Sequence, residues 1–329
     1  MTISRRALLV SGTTALTLSP LRTILPTELP TALPAALPMA GAPGVGAGGI
    51  RPRFPGDPGR GRVYYGAFVQ FPRDVERYER RLGHRLGARR SYFLPHQAEG
   101  LVRRARHDVA ARRLPLVSTK VPGSWRDVAT GARDDWLHPM LDGLAAIDRP
   151  VFLTLHHEPE NDVAGPGNLP GWFVEMQEHA VAAAAARAPL VSIVPILMSW
   201  TFDPASGRTP GQWIAPSPAL FGFDAYNWWS PRTNAPWTGF GTLLRRAERY
   251  AGGRPLVVGE FGVRRDPRRP QRSARWLRNA YRQAVRNDVV AMTYFDQRIG
   301  DPDGDFRLTG PRLAAFRRNL RRPRSVLLR

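Results

Sequence analysis

From residue 61 onward the chain alternates between two textures. Short apolar runs, rich in β-branched and aromatic residues, stand at 63–69, 91–94, 115–119, 151–155, 191–198, 219–226, 255–258 and 289–295. Most are continuously apolar rather than alternating, which is the pattern of a strand buried on both faces. Longer stretches with helical signals lie between them, at 73–86, 134–147, 172–188 and 271–286. A strand followed by a helix, repeated, dictates parallel pairing through right-handed crossovers. Eight such units predict an α/β protein built as one closed (β/α)8 TIM barrel. An open doubly wound sheet is the alternative, but no Gly-rich fingerprint follows the first run to support it.

The segment before residue 61 has a different character. Leu-Pro recurs with period four at Leu25-Pro26, Leu29-Pro30, Leu33-Pro34 and Leu37-Pro38. Proline at that density bars helix and sheet alike and reads as an extended linker. Ser4-Arg5-Arg6 precedes a mildly apolar stretch at 7–18, and Ala40-Gly41-Ala42 offers small residues for cleavage. A twin arginine before a short apolar region is the pattern of a Tat-type export signal. The expected organisation is a signal peptide at 1–42, a Pro/Gly-rich linker at 43–60 and a barrel at 61–329 with a basic C-terminal tail. The expected location is extracellular.

In a barrel of this kind the chemistry sits at the C-terminal ends of the strands. The fourth run ends in His156-His157-Glu158-Pro159-Glu160-Asn161-Asp162, and the seventh in Gly259-Glu260-Phe261-Gly262. Glu158 and Glu260 therefore stand at the same end of opposite strands and point across one mouth. Two carboxyls ~5–5.5 Å apart, one nucleophilic and one protonated, are what glycoside hydrolysis with retention needs. Carboxyls that close do not both ionise readily, so one keeps its proton and serves as acid. Trp200 and Trp228 follow the fifth and sixth runs. Their planes could stack on the apolar faces of sugar rings. Packing is the expected role of Trp125, Trp229 and Trp237.

Three motifs on successive strands resemble glycoside hydrolase family 26, a β-mannanase-rich family of the clan A retaining glycosidases. They are His157-Glu158, Gly222-Phe223-Asp224-Ala225-Tyr226-Asn227 and Gly259-Glu260-Phe261-Gly262. The resemblance spans approximately residues 61–297. It implies a retaining hydrolase of β-mannan or a related β-glycan, with Glu158 as acid/base and Glu260 as nucleophile. It also implies that His157 and Tyr226 flank these groups, with Tyr226 hydrogen-bonding the nucleophile. Asn161, Trp200 and Trp228 complete the expected substrate-binding set. The chain departs from the mannanases at Thr154, where they carry Arg, and in the residues Pro159-Glu160-Asn161-Asp162 after the acid/base.

Composition narrows the alternatives. The 48 Lys and Arg against 27 Asp and Glu give a formal net charge of +21, yet Lys120 is the only lysine. Abundant Arg, Ala, Gly and Pro together point to coding bias. No basic-aromatic stripe marks a nucleic-acid surface. With no cysteine, thiolate chemistry and Cys-ligated zinc are excluded. His156 and His157 are adjacent, face opposite sides of a strand and cannot share one metal. No cofactor or metal is required. The expected partner is a polysaccharide or oligosaccharide, met by a monomer. The tail at 312–329 carries seven Arg and no acid. Its first half reads as the last barrel helix, with Leu313 and Phe316 inward. Its end reads as frayed and able to touch anionic cell-envelope polymers. Two rival readings are a catalytically silent carbohydrate-binding barrel and an envelope adhesion protein.

Overall fold

The computed structural model describes residues 52–233, 235–299 and 305–329. The expected signal peptide and the first half of the expected linker, residues 43–51, lie outside them. The strands are β1 (Tyr64–Phe68), β2 (Ala88–Phe93), β3 (Leu114–Thr119), β4 (Val151–Leu155), β5 (Val191–Ile193), β6 (Ile196–Met198), β7 (Phe221–Asn227), β8 (Leu256–Val263) and β9 (Val289–Tyr294). All pairings between these strands are parallel, in the order β5-β4-β3-β2-β1-β9-β8-β7-β6.

β5 and β6 are the two halves of the single fifth run. Pro195 has no N–H to donate, and the ladder breaks there. The break does not open the wall. Val194 N–H donates to Leu153 O at 2.8 Å, and Gly222 N–H donates to Pro195 O at 3.0 Å. The two ends of the strand order are therefore one continuous segment, and the sheet closes into the expected (β/α)8 barrel.

The helices are α1 (Pro72–Leu82), α2 (Ala98–Ala110), α3 (Trp125–Ala129), α4 (Asp134–Ala145), α5 (Pro170–Arg187), α6 (Phe240–Glu248), α7 (Pro270–Arg286) and α8 (Gly310–Leu320). Proline occupies the first turn of α1, α5, α7 and α8. There its missing N–H costs nothing and its φ is already helical. Among the described residues no helix is long and apolar enough to cross a membrane.

Strand alternation sorts the side chains. Val117, Leu153, Phe223 and Val258 face outward into the layer beneath the helices. Tyr64, Leu114, Leu116, Phe152, Ile196 and Val257 face inward and fill the lower barrel. Two sequence expectations are corrected here. The second strand was expected at 91–94, but it begins at Ala88 and carries Arg89 and Arg90, both fully buried. Arg89 points outward and donates to Asp108 Oδ1 of α2 at 3.1 Å, so its charge is met inside the fold. The tail was expected to fray, but Val63 N–H donates to Arg324 O at 2.8 Å and Leu328 N–H to Arg112 O at 2.9 Å. Leu328 is buried in the barrel floor. Backbone pairing and one apolar anchor thus hold the tail down.

The packed region also begins earlier than Gly61. Phe54 is buried against Phe152, with ring centroids 6.1 Å apart, and joins the floor cluster. Arg53 brackets it, bonding Asp57 and Asp288. Removing a buried aromatic costs transfer energy and leaves a cavity. Phe54→Ala should therefore lower unfolding stability by about 3–5 kcal/mol. The exposed Phe71→Ala should stay within about 0.5 kcal/mol of wild type. Urea melts of the two variants check this, and equal midpoints would contradict the floor assignment.

Candidate active site

Glu260 owes its direction to an irregularity in β8. Val258 pairs with Phe223 of β7 and Met292 of β9, while Phe261 pairs with Ala225 and Tyr294. β8 therefore takes three steps where each neighbour takes two. In a regular strand residue 260 would share the outward face of Val258. The extra residue, a β-bulge at Gly259-Glu260, turns Glu260 into the barrel. Gly259 allows the bulge to sit close to its neighbours. A Cβ there would lie 2.5 Å from Ile196 Cδ1 and 2.6 Å from Asp224 Oδ1.

Once inside, Glu260 is held from two sides. The Tyr92 hydroxyl donates to Oε1 and the Tyr226 hydroxyl donates to Oε2. The backbone N–H of Glu260 donates to Asp224 Oδ1 at 2.5 Å. Beneath them lies Arg90, whose Nε donates to the Tyr92 hydroxyl at 3.0 Å and whose Nη1 donates to Thr154 Oγ1 at 3.3 Å. Burial works against the Arg90 charge, but Tyr92, Asp224 and Glu260 outweigh it and raise its pKa.

Glu158 enters the same electrostatic unit from β4. His156 and Glu158 both have left-handed backbone, with φ of 56° and 48°. Such conformations cost non-glycine residues about 1–3 kcal/mol each and persist only where the surroundings impose them. Here the neighbouring strands do so. His156 N–H donates to Thr119 O at 2.8 Å, and Glu158 N–H donates to Ile196 O at 2.9 Å. Burial first, and then the negative charge of Glu260, push the Glu158 carboxyl up to about 8. Asp224 is also driven well above the carboxylate range by burial, then by Glu260 and Glu158.

The remaining expected residues take different positions. His157 Nδ1 is 3.2 Å from Ser118 Oγ, and its ring lies 4.7 Å from that of Tyr92. Burial and the nearby charges of Lys120 and Arg90 pull its pKa well down, so it is a neutral imidazole. His156 turns the other way and meets Asp162 at 2.8 Å. Lys120 also binds Asp162 and donates to His157 O at 3.3 Å. Asn161 is not drawn in with the carboxyls. It is exposed and accepts from Arg208 Nη2 at 3.3 Å. Trp200 and Trp228 are 47% and 42% exposed, and the Arg264 guanidinium lies 5.0 Å from the centre of the Trp228 ring. Trp228 packs on Tyr226 with centroids 5.1 Å apart, which joins the rim to the centre. Trp125 is fully buried in the outer core.

Sequence reading missed Arg90, Tyr92 and the contact role of Asp224. A weak signal existed for the first two. Arg90 and Tyr92 are two apart in a strand and so share its inward face, but the strand had been begun one residue too late to include Arg90.

No family model matches this chain, and no curated protein matches it. Solved structures do. The chain is similar to a modular endo-β-1,4-mannanase from Cellulomonas fimi, described with glycoside hydrolase family 26 mannanases, at 15% identity and a TM-score of 0.52, covering 82% of this chain and 72% of that one. A GH5-4 broad specificity endoglucanase from Bacteroides salanitronis matches at 11% identity and a TM-score of 0.53, over 80% of this chain and 90% of that one. The GH53 catalytic domain of Ignisphaera aggregans matches at 14% identity and a TM-score of 0.52, over 82% and 98%. At these identities the shared property is the fold. The chain has the (β/α)8 barrel found in these hydrolases.

The raised Glu158 pKa has a consequence for stability. A carboxyl that binds its proton more tightly when folded contributes fully below its ordinary value of 4.5 and loses that contribution as pH rises through about 8. Glu158→Gln removes the ionisation. The variant should gain melting temperature over wild type at pH 9, by about 2–4 °C per kcal/mol recovered, and gain much less at pH 4.5. Calorimetry at the two pH values checks this, and equal differences at both would refute it.

Proposed function

We propose that the protein is a retaining glycoside hydrolase of β-linked polysaccharide, with Glu158 as acid/base and Glu260 as nucleophile. The carrying observation is the unequal pair of carboxyls: Glu158 is held protonated to about 8, opposite a Glu260 whose two oxygens each receive a phenolic hydrogen bond. Two carboxyls whose environments differ in this way are suited to opposite roles. The Glu260 carboxylate attacks the anomeric carbon while Glu158 gives its proton to the departing glycosidic oxygen. Glu158, now ionised, takes a proton from water, and the resulting hydroxide displaces Glu260 to release a sugar of unchanged configuration. The two hydroxyl donors fix the angle from which Glu260 approaches. Neutral His157 beside them can donate or accept a hydrogen bond without adding charge.

The substrate class rests on the exposed rim and on the fold. Trp200 and Trp228 offer planar platforms of the kind that sugar rings cover. The similar structures named for their activity include a β-1,4-mannanase and an endoglucanase. A β-mannan or related β-1,4-glycan is accordingly the proposed substrate. The protein is further proposed to be exported through its twin-arginine segment, so that it meets such polymers outside the cell.

The direct test is a panel of β-glycans followed by NMR of the first product, which should keep the β configuration. Glu260→Ala should abolish turnover and remain folded. Glu158→Ala should lose about 10²–10⁴-fold on substrates with poor leaving groups and far less on activated aryl glycosides. Azide should partly restore Glu158→Ala and yield a β-glycosyl azide. Wild-type kcat/KM should fall as pH rises past about 8, because the acid must be protonated. Inverted product, or undiminished hydrolysis by Glu260→Ala, would defeat the mechanism. Sugar binding without turnover would favour the silent-barrel reading.

Export has its own measurement. Mass spectrometry of secreted protein should find an N-terminus beyond Ala15, and intact residues 1–10 on soluble cytoplasmic protein would count against it.

A further inference from the structure

One outer face of the barrel carries more positive charge than its neighbours offset: among its arginines Arg272 meets Asp266 at 3.5 Å and Arg312 meets Asp305 at 3.9 Å, both from loops outside the helices. α7 and α8 pack side by side, and neither contains Asp or Glu. This is unlike α1, where Glu76 and Glu79 are interleaved with the arginines. Abundant arginine alone therefore does not account for the α7–α8 face, because the same chain mixes its charges elsewhere. Mixing is what solubility alone favours. The crowding also bears on Arg278. Burial, and then the like charges of Arg318, Arg275 and Arg282, pull the Arg278 pKa down.

The charge is gathered around a depression. Where α7 ends and the chain turns after α8, a groove of about 360 Å³ is lined by Arg282 and Arg286 from the helix and by Arg322 and Arg324 from the tail, with Tyr281 and Val285 between them. None of the four guanidinium groups forms an ion pair or a hydrogen bond with a described residue. The tail arginines are nevertheless on fixed backbone, since Arg324 O accepts from Val63 N–H at 2.8 Å and Ser325 Oγ donates to Asn319 O at 2.6 Å. The Arg322 guanidinium lies 6.0 Å from the centre of the Tyr281 ring, and the structure thus presents forked donors without acidic partners among the described residues, from two elements around one groove.

We propose that this groove binds the backbone of a phosphodiester-linked anionic glycopolymer, seating a phosphate among Arg282, Arg286, Arg322 and Arg324. Guanidinium groups match phosphate oxygens bidentately. A tetrahedral phosphate can present oxygens to donors on both sides of a groove, whereas a planar carboxylate offers one edge. A membrane surface fits less well, because the exposed large apolar side chains, such as Phe71, Leu94 and Trp200, lie on other elements. Single-stranded nucleic acid needs exposed aromatic faces for its bases. Tyr281 is buried and its hydroxyl is occupied by Ser325. The groove lies at the floor side of the barrel, so a polymer held there leaves the catalytic mouth open. Such an anchor raises the local concentration of the enzyme on a polymer-bearing surface. The proposal does not depend on the glycosidase reading.

The test uses the full chain, with poly(glycerol phosphate) as probe and calorimetry as readout over a salt series. Arg282→Gln/Arg322→Gln should weaken binding about tenfold or more, as expected for lost charge-assisted hydrogen bonds. Its log–log salt slope should fall by roughly 1–2. Arg245→Gln/Arg249→Gln, at the C-terminal end of α6 and just past it, removes the same charge elsewhere and should change affinity less than about twofold. Arg282→Lys/Arg322→Lys keeps the charge and loses the fork, so it should fall between the two. Melting curves establish that each variant is folded. Equal weakening by the α6 pair would show a net-charge effect and overturn the site. So would binding of polygalacturonate or DNA as tight as that of poly(glycerol phosphate) at equal charge concentration, or no binding of the phosphate polymer by wild type.

Discussion

Three carboxyl groups and one guanidinium share the upper end of a closed barrel, and most of the site follows from that crowding. Burial, and then the charge of Glu260, raise the cost of ionising Glu158 and Asp224, while Arg90 beneath them is a positive charge that reaches both Asp224 and Glu260. Water cannot screen groups buried this far, so burial and neighbouring charges together favour the protonated forms of Glu158 and Asp224. Tyr92 stands between the cation and Glu260, accepting from one and donating to the other. The guanidinium therefore acts on Glu260 through a phenol rather than by a direct bidentate pair. A direct pair would bind both carboxylate oxygens in one plane to a single cation. Two phenols hold the oxygens with fewer charges to displace.

The two ends of the barrel are built on different principles. The floor is apolar and closed from both termini of the described region, by Phe54 on one side and Leu328 on the other. The mouth is polar and strained, with two left-handed residues at the end of β4 and a bulge in β8. Stability concentrated at the floor allows the mouth to hold conformations that cost energy. The arginine groove belongs to the floor side. A surface function there could change without disturbing the carboxyls, and substitutions at the rim could change substrate choice without loosening the fold.

Thr154 near the end of β4 and Asn161 in the loop after it are both held by arginines from other elements. Thr154 Oγ1 accepts from Arg90 of β2 at 3.3 Å. Asn161 is tied to Arg208, which also donates to Thr201 Oγ1 at 3.0 Å, and Thr201 in turn donates to Glu160 Oε1 at 2.6 Å. This chain of contacts braces the loops after β4 and β6 against each other. It makes Asn161 part of the rim's support, while Trp200 and Trp228 remain exposed aromatics of the rim.

The sequence by itself determined the repeated strand–helix units, the parallel pairing and the place of Glu158 just past β4; Glu260, expected just past a strand at 255–258, lies inside β8, which runs on to Val263. Those properties are local: a run of apolar residues or a proline at a helix start acts within a few positions. It could not determine which way Glu260 points. Simple alternation from Val258 sends it outward, and only the added residue in β8, set against two neighbouring strands, turns it in. Nor could it place Arg90 and Tyr92, because a charge within a strand is stable only when its partners are known. Tyr92 and Glu260 lie 168 positions apart. The tail looked free for the same reason, since its anchors on β1 and on the loop before β3 are distant in sequence. Burial and pairing across the closed barrel decided these features, and both are properties of the assembled fold rather than of any segment.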